Sequence, residues 1–147
     1  MIKWRIIPLV LFVVLSFFLW QGLSLDPQKL PSTQIGRVLP HFSLPVLGFP
    51  GQTLTANSLQ GHFFLLNVWA SWCAACVEEQ VFLLQLAREG IPIYGINYKD
   101  SPQEAKKWLR EWGNPFRRIG IDRKGKLAMD LGVYGAPETF LVDAKGV

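Results

Sequence analysis

Metal-binding side chains of the soft and imidazole kinds are scarce in these 147 residues: two cysteines, two histidines and two methionines. A closed zinc site takes four ligands, commonly two Cys pairs or Cys with His at short spacing. Neither His41 nor His62 stands at ligand spacing from the cysteines. Covalent haem attachment requires Cys-x-x-Cys-His, and the residue after Cys76 is Val77. The pattern therefore implies no metal and no cofactor. Charge is scarce too, at 18% of residues, with 15 basic against 11 acidic side chains. Without Lys3 and Arg5 the balance is 13 against 11, a difference of +2. Nucleic-acid binding calls for a basic stripe, and none is present. Lys106-Lys107 reads as a solvated helix face and Arg117-Arg118 as a loop. Repeats and low-complexity tracts are also missing, and the length bounds the chain to one domain with a tail.

Apolar residues are plentiful but unevenly spread. The opening "MIKWRIIPLVLFVVLSFFLWQGLSL" places Lys3 and Arg5 ahead of a run from Ile6 to Trp20, extended to Leu23 by weakly polar steps. About 18 helical residues at 1.5 Å each reach about 27 Å, close to a bilayer core. Positive charge on the N-terminal side puts that end in the cytoplasm and the rest outside. We read residues 1–25 as an uncleaved membrane anchor. A cleaved signal peptide is the alternative, but "GLSLD" is a poor cleavage site. Residues 26–37, polar with two prolines, read as a linker, and 38–147 as the folded domain.

Within that domain "LPHFSLPVLGFPGQTLTANSLQGH" reads as one or two short edge strands with turns. "HFFLLNVW" is nearly continuous in apolar residues, as in a strand buried on both faces. Residues 73–89 contain neither Gly nor Pro and read as a helix ended by Gly90; Val77, Val81, Leu84 and Arg88 or Ala87 mark its inward face. "IPIYGINY" completes a βαβ unit, whose crossover should be right-handed. Ser101 to Glu104 form a capping box with Pro102 at the first helical position, opening a helix to about Trp112. "FRRIGID" is a short strand, "LAMDLGV" one helical segment and "TFLVD" a last strand. A turn at "AKGV" calls for a further partner strand, so the expectation is an open edge, in a chain that is either naturally short or a fragment.

The two cysteines occur together, in "WASWCAACVEE". A disulfide between Cys73 and Cys76 would close a loop of four residues, which removes little entropy from the unfolded chain. An inert crosslink is therefore a poor explanation, and redox use a better one. The pair lies where a central strand hands over to a helix, the crevice in which open α/β sheets bind ligands. A helix N-terminus offers unpaired N–H groups and the positive end of its dipole, both of which favour thiolate over thiol. Cys73, nearer the open end, is expected to be the nucleophile. Cys76, one turn in and more buried, is expected to resolve the mixed disulfide. Trp72 lines the groove beside the sulfur, and Trp69 belongs to the core.

"LLNVWASWCAACVEEQ" is similar to the strand–Trp-Cys-x-x-Cys–helix core of the thioredoxin superfamily. "GINYKD" and "LGVYGAPETFLVD" resemble its membrane-anchored branch, the thiol:disulfide interchange proteins of cytochrome c biogenesis of the DsbE or CcmG type. The resemblance runs from about Val38 to Val147. It implies a thioredoxin-like α/β fold, a central mixed sheet flanked by helices, preceded by one transmembrane helix. The family's last strand and helix are absent from the sequence. Pro137 matches the family's cis-proline, so Ala136-Pro137 should be cis and leave the Ala136 main chain free to pair with an extended substrate. Glu138 matches the acidic residue beside it, and Glu79 the carboxylate three residues after the second cysteine. Either could exchange the resolving thiol's proton. The chain departs from thioredoxin at Asn67, where a buried Asp is usual, at Ala74-Ala75 between the cysteines, and at Val77. Asn97, Tyr98 and Asp100 resemble a loop near the site, and no chemistry is assigned to them.

The function the resemblance implies is a thiol:disulfide oxidoreductase that reduces apocytochrome c or a cytochrome c maturation protein. It would sit in a bacterial inner membrane with its catalytic domain in the periplasm, and a DsbD-like membrane electron donor would restore it. A general disulfide oxidant or isomerase is the alternative within that chemistry. A redox-silent chaperone or binding module for cytochrome assembly is the alternative outside it.

Overall fold

The computed structural model describes residues 2–23 and 35–147. They belong to two compact units, Met1–Ser32 and Thr33–Val147. In the first, helix α1 covers Ile2–Leu23, and its described side chains, residues 6–22, are all exposed. Among the described residues no helix is long and apolar enough to cross a membrane. Most of the linker expected over residues 26–37 lies outside the described residues.

The second unit opens with a small antiparallel hairpin of β1 (Ser43–Pro45) and β2 (Thr53–Thr55), in which Ser43 faces Thr55. Then follow β3 (Phe64–Trp69), α2 (Ala74–Arg88), β4 (Ile93–Tyr98), α3 (Pro102–Trp112), β5 (Arg118–Asp122), α4 (Lys126–Asp130) and β6 (Glu138–Val142). The main sheet has the order β5-β4-β3-β6. β3 runs parallel to β4 and β4 to β5, whereas β6 is antiparallel to β3. This is the mixed, helix-flanked α/β sheet expected from the sequence. Arg118, read from the sequence both in a basic loop pair and within the strand at 116–122, begins β5.

Side chains alternate across a strand, so the apolar run of β3 feeds two separate cores. Phe64, Leu66 and Val68 join one cluster with Tyr94, Ile96 and Val142, closed by Leu54 of the hairpin and Leu127 of α4. Trp69 joins the other, with Cys73, Cys76, Leu83, Trp108 and Phe116. Every residue of β3 except the partly exposed Leu65 is buried. Covered faces on both sides leave no position for a solvated side chain, and the run is apolar except for Asn67, itself 1% exposed.

Helix α2 sits one step out of the phase expected for it. Val81 is 68% exposed, and Cys76, Gln80 and Leu83 are its buried residues. Val77 and Ala87 pack partly against the same cluster. The run "VFLLQLA" is apolar nearly all round, so periodicity could not fix its rotation. The disulfide at its start does so, with Gln80 turned inward to donate from Nε2 to the Gly113 carbonyl at 2.7 Å. At α3 one half of the expected capping box forms, Ser101 Oγ accepting from the Glu104 N–H at 3.2 Å, while the Ser101 N–H donates to Asp100 Oδ1 at 2.7 Å rather than to the Glu104 side chain. Pro102 is in the first turn and Gly113, at φ +90°, ends the helix. β6 stands at one end of the strand order, with Leu141 72% exposed.

Candidate active site

The turn from β3 into α2 carries the two sulfurs. Ala70, Ser71 and Trp72 separate the last strand residue from Cys73, which is the N-cap of α2 in extended conformation. Its Sγ accepts a hydrogen bond from the Cys76 N–H at 3.1 Å. That N–H is among the four at a helix start with no partner inside the helix, and an N-cap side chain ordinarily satisfies it with oxygen. Here sulfur takes that place, and the positive end of the helix dipole lies against it. Cys73 and Cys76 form a disulfide with Cα atoms 5.4 Å apart. Both are buried, at 5% and 3% exposure. The expected contrast in burial is thus small in the oxidised form. What separates them is their surroundings: Cys73, and not Cys76, lines an open groove of about 680 Å³ between the start of α2 and α3. Trp72, Trp108 and Trp112 also line it.

Trp72 is 57% exposed beside the sulfur. Its Nε1 donates to the Lys99 carbonyl at 3.2 Å, and its ring lies 6.2 Å from that of Tyr98. Trp69 is core as expected, 1% exposed and stacked on Phe116 at 5.4 Å. The indole also explains Gly95, which stands on β4 two residues before Asn97, the register partner of Trp69. A Cβ on Gly95 would stand 2.8 Å from Trp69 Nε1 and 3.1 Å from the Phe116 ring.

The Ala136–Pro137 peptide is cis. Ala136 packs against the apolar cluster that holds both cysteines, so the segment before β6 lies against that side of the sheet. The two carboxyls near it are placed differently. Glu79 belongs to a closed triangle: Asn67 Nδ2 donates to its Oε2 and to Thr139 Oγ1, each at 2.9 Å, and Thr139 Oγ1 donates to its Oε1 at 2.8 Å. Asn67 and Thr139 are register partners on β3 and β6, which brings the triangle to the α2 face of the sheet. Glu138 pairs in register with Val68, whose side chain belongs to the opposite core. Alternation therefore sends Glu138 away from the Glu79 triangle. Partial burial raises its carboxyl above the usual carboxylate range.

Sequence reasoning left Asp100 without a role, and the structure gives it one. Its carboxylate accepts four hydrogen bonds: at Oδ2 from the Ser71 N–H (2.7 Å) and Asn97 Nδ2 (2.9 Å), and at Oδ1 from Ser71 Oγ (2.8 Å) and the Ser101 N–H (2.7 Å). The signal in the sequence was faint, an Asp directly before the Ser-Pro helix start. His62, expected at strand entry, precedes β3, and His41 lies in a loop.

The chain matches the family model described as Redoxin over residues 34–147. A thiol:disulfide interchange protein DsbE of Pseudomonas fluorescens biotype C is 49% identical over 146 residues, which cover 99% of this chain and 82% of that relative. The protein of the same name from Escherichia coli strain K12 is 47% identical over 151 residues, again 99% and 82%. The thioredoxin domain of a thiol-disulfide oxidoreductase from Bacteroides vulgatus superposes with a TM-score of 0.64 at 25% identity, covering 80% of this chain and 85% of that one.

Proposed function

Since the chain belongs to the DsbE family of thiol:disulfide interchange proteins, within the Redoxin group of the thioredoxin superfamily, we propose that it works in the reducing direction, on apocytochrome c or a cytochrome c maturation protein. Thiol:disulfide exchange itself is the chemistry of the family and of the Cys73–Cys76 pair. The observation that carries the exchange chemistry is the Cys73 sulfur at the N-cap of α2, open to a groove and receiving the Cys76 N–H; the reducing direction comes from the family resemblance.

In the dithiol form the Cys73 thiolate attacks one sulfur of a substrate disulfide. A Cys73–substrate bond forms, the substrate S–S bond breaks, and one substrate thiolate leaves. Cys76, having given up its proton, then attacks Cys73 Sγ. The mixed disulfide breaks, the second substrate thiolate leaves, and the Cys73–Cys76 disulfide remains. Two electrons have passed to the substrate. Glu79, one helical turn beyond Cys76 and on the same face of the sheet, is the carboxyl we assign to that proton. Glu138, beside Pro137, is the other candidate from the sequence, but its register with Val68 turns it toward the opposite core. The Ala136 main chain, freed by cis-Pro137, and the exposed face of Trp72 are assigned to holding the substrate. A DsbD-like membrane donor restores the dithiol in this scheme.

We place the domain in the periplasm of a bacterial inner membrane, tethered by the N-terminal segment. Support comes from the sequence: an apolar run of about 18 residues, enough for a bilayer core, behind Lys3 and Arg5. Two experiments test the reading. Cys76→Ala should freeze the mixed disulfide, and the proteins trapped on Cys73 should be cytochrome c or its assembly factors. Equilibration with glutathione should give a potential toward the reducing end of the superfamily, about −270 mV rather than about −120 mV. A value at the oxidising end would replace the reductant with a general oxidant or isomerase.

A further inference from the structure

The loop after β4 and the turn after β3 are tied together at three points, and two of the ties end on one carboxylate. Asp100 takes the N–H and the hydroxyl of Ser71, while the neighbouring Lys99 carbonyl takes Trp72 Nε1. Lys99 itself sits at φ +45°, an unusual conformation for a side-chain-bearing residue. The carboxylate is in turn fixed from behind by Asn97, wholly buried on β4, and by the Ser101 N–H at the start of α3. Ser71 is two residues before Cys73 and caps no helix of its own. Its orientation decides where the chain enters α2 and so whether the Cys73 sulfur meets the Cys76 N–H.

We propose that Asp100 is a positioning residue for the exchange reaction: its four-fold hydrogen-bonded carboxylate clamps the Ser71–Trp72 turn and thereby holds the Cys73 sulfur at the N-cap of α2. The inference rests on the reading of Cys73 as the nucleophile. Charge and geometry act in opposite directions here, which makes the idea testable. As a mere neighbouring negative charge in the same groove, Asp100 disfavours the thiolate. As a clamp it favours the thiolate, by keeping the sulfur on its N–H donor. The other charged groups lining the groove, Lys99 and Lys107 against Glu104 and Glu111, balance in sign. Glu79 on α2 and Glu138 at the start of β6 lie outside it.

Asp100→Asn removes the charge with little change of shape. In either orientation its NH2 would face a backbone N–H, that of Ser71 or that of Ser101, so the clamp cannot re-form intact. We expect the titration midpoint of Cys73 in the reduced, full-length protein to rise by about one pH unit, a roughly tenfold loss of thiolate below the midpoint. The readout reports the folded molecule, so a simple loss of stability does not move it. A midpoint that stays put, or falls, would overturn the clamp. Should Asp100→Asn not fold, Ser71→Ala keeps the carboxylate and deletes one of its four bonds. It should move the midpoint upward by less, and no upward movement is again contrary. A wild-type Cys73 that titrates like free cysteine defeats the nucleophile reading itself, which separates the two failures.

Discussion

The two faces of the main sheet are made by the same strands and bury different things. On the face covered by the hairpin and α4, β3 and β4 present Phe64, Leu66, Val68, Tyr94 and Ile96, an apolar set apart from the tyrosine hydroxyl. On the face covered by α2 and α3 the same strands present Asn67, Trp69, Gly95 and Asn97. Of the four buried side-chain polar atoms without a hydrogen-bond partner among the described residues, three, Asn67 Oδ1, Trp69 Nε1 and Asn97 Oδ1, are on this second face, and the fourth, His62 Nε2, lies at the edge of the first beside Phe64 and Tyr94. Unpaired buried polar atoms typically cost about 1–3 kcal/mol each. One face is built to hold the fold, and the other gives up some of that stability to place two sulfurs, a carboxylate triangle and a carboxylate clamp.

Substitutions can break this division, the largest effect first. Cys73→Ser should reduce insulin-disulfide reduction to the uncatalysed rate while leaving the thermal transition of the folded protein recognisable. Phe64→Ala, on the apolar face, should do the reverse. It should cost about 3–5 kcal/mol of stability in denaturant titrations and leave activity per folded molecule unchanged. A Phe64 variant whose folded molecules lost activity would erase the distinction between the faces. Gly95→Ala should cost about 1–3 kcal/mol through overpacking against Trp69 and Phe116.

Smaller effects sharpen the comparison within the site face. Asn67→Asp would set a second carboxylate where an amide now donates to Glu79 at 2.9 Å. Two acids in one site cannot both ionise easily, so stability should fall as pH rises from about 4 to 7. A loss of about 1–3 kcal/mol is expected at the upper end of that range and little at the lower. Glu138→Gln should have the smallest effect on stability. Its carboxyl is raised by burial in the folded state, so the folded chain holds that proton more tightly than the unfolded chain does. Stability from this group is therefore greatest at low pH and declines as pH rises through the raised value. The glutamine variant should melt slightly higher than the parent at about pH 7 and equally below about pH 4. A variant that melted lower at neutral pH would mean the carboxylate makes a favourable contact in its ionised form.

Much of this was legible in the sequence because it is written in local chemistry. The strand at "HFFLLNVW", the helix start at Ser101-Pro102 and the thiol pair between strand and helix each follow from neighbouring residues. So does Trp69 in the core. The phase of α2 was not legible, since apolar side chains surround it and only the tertiary position of Cys76 and Gln80 selects a face. Nor was the partnership of Asn67, Glu79 and Thr139, or of Ser71 and Asp100, whose members are 12 to 72 and 29 residues apart. Resemblance supplied Glu79 and Pro137, but no pattern of spacing pointed to Thr139 or Asp100. Such contacts come from strand register and crossover geometry.

The state of one sulfur is central to the proposed chemistry, and it is most directly tested by following thiolate absorbance and alkylation rate of Cys73 against pH in the reduced protein. A helix-capped nucleophile should ionise well below about 8.5, the value of an ordinary cysteine, and alkylate faster than free thiol at neutral pH. Ionisation at or above that value, with no gain in alkylation rate, would contradict it.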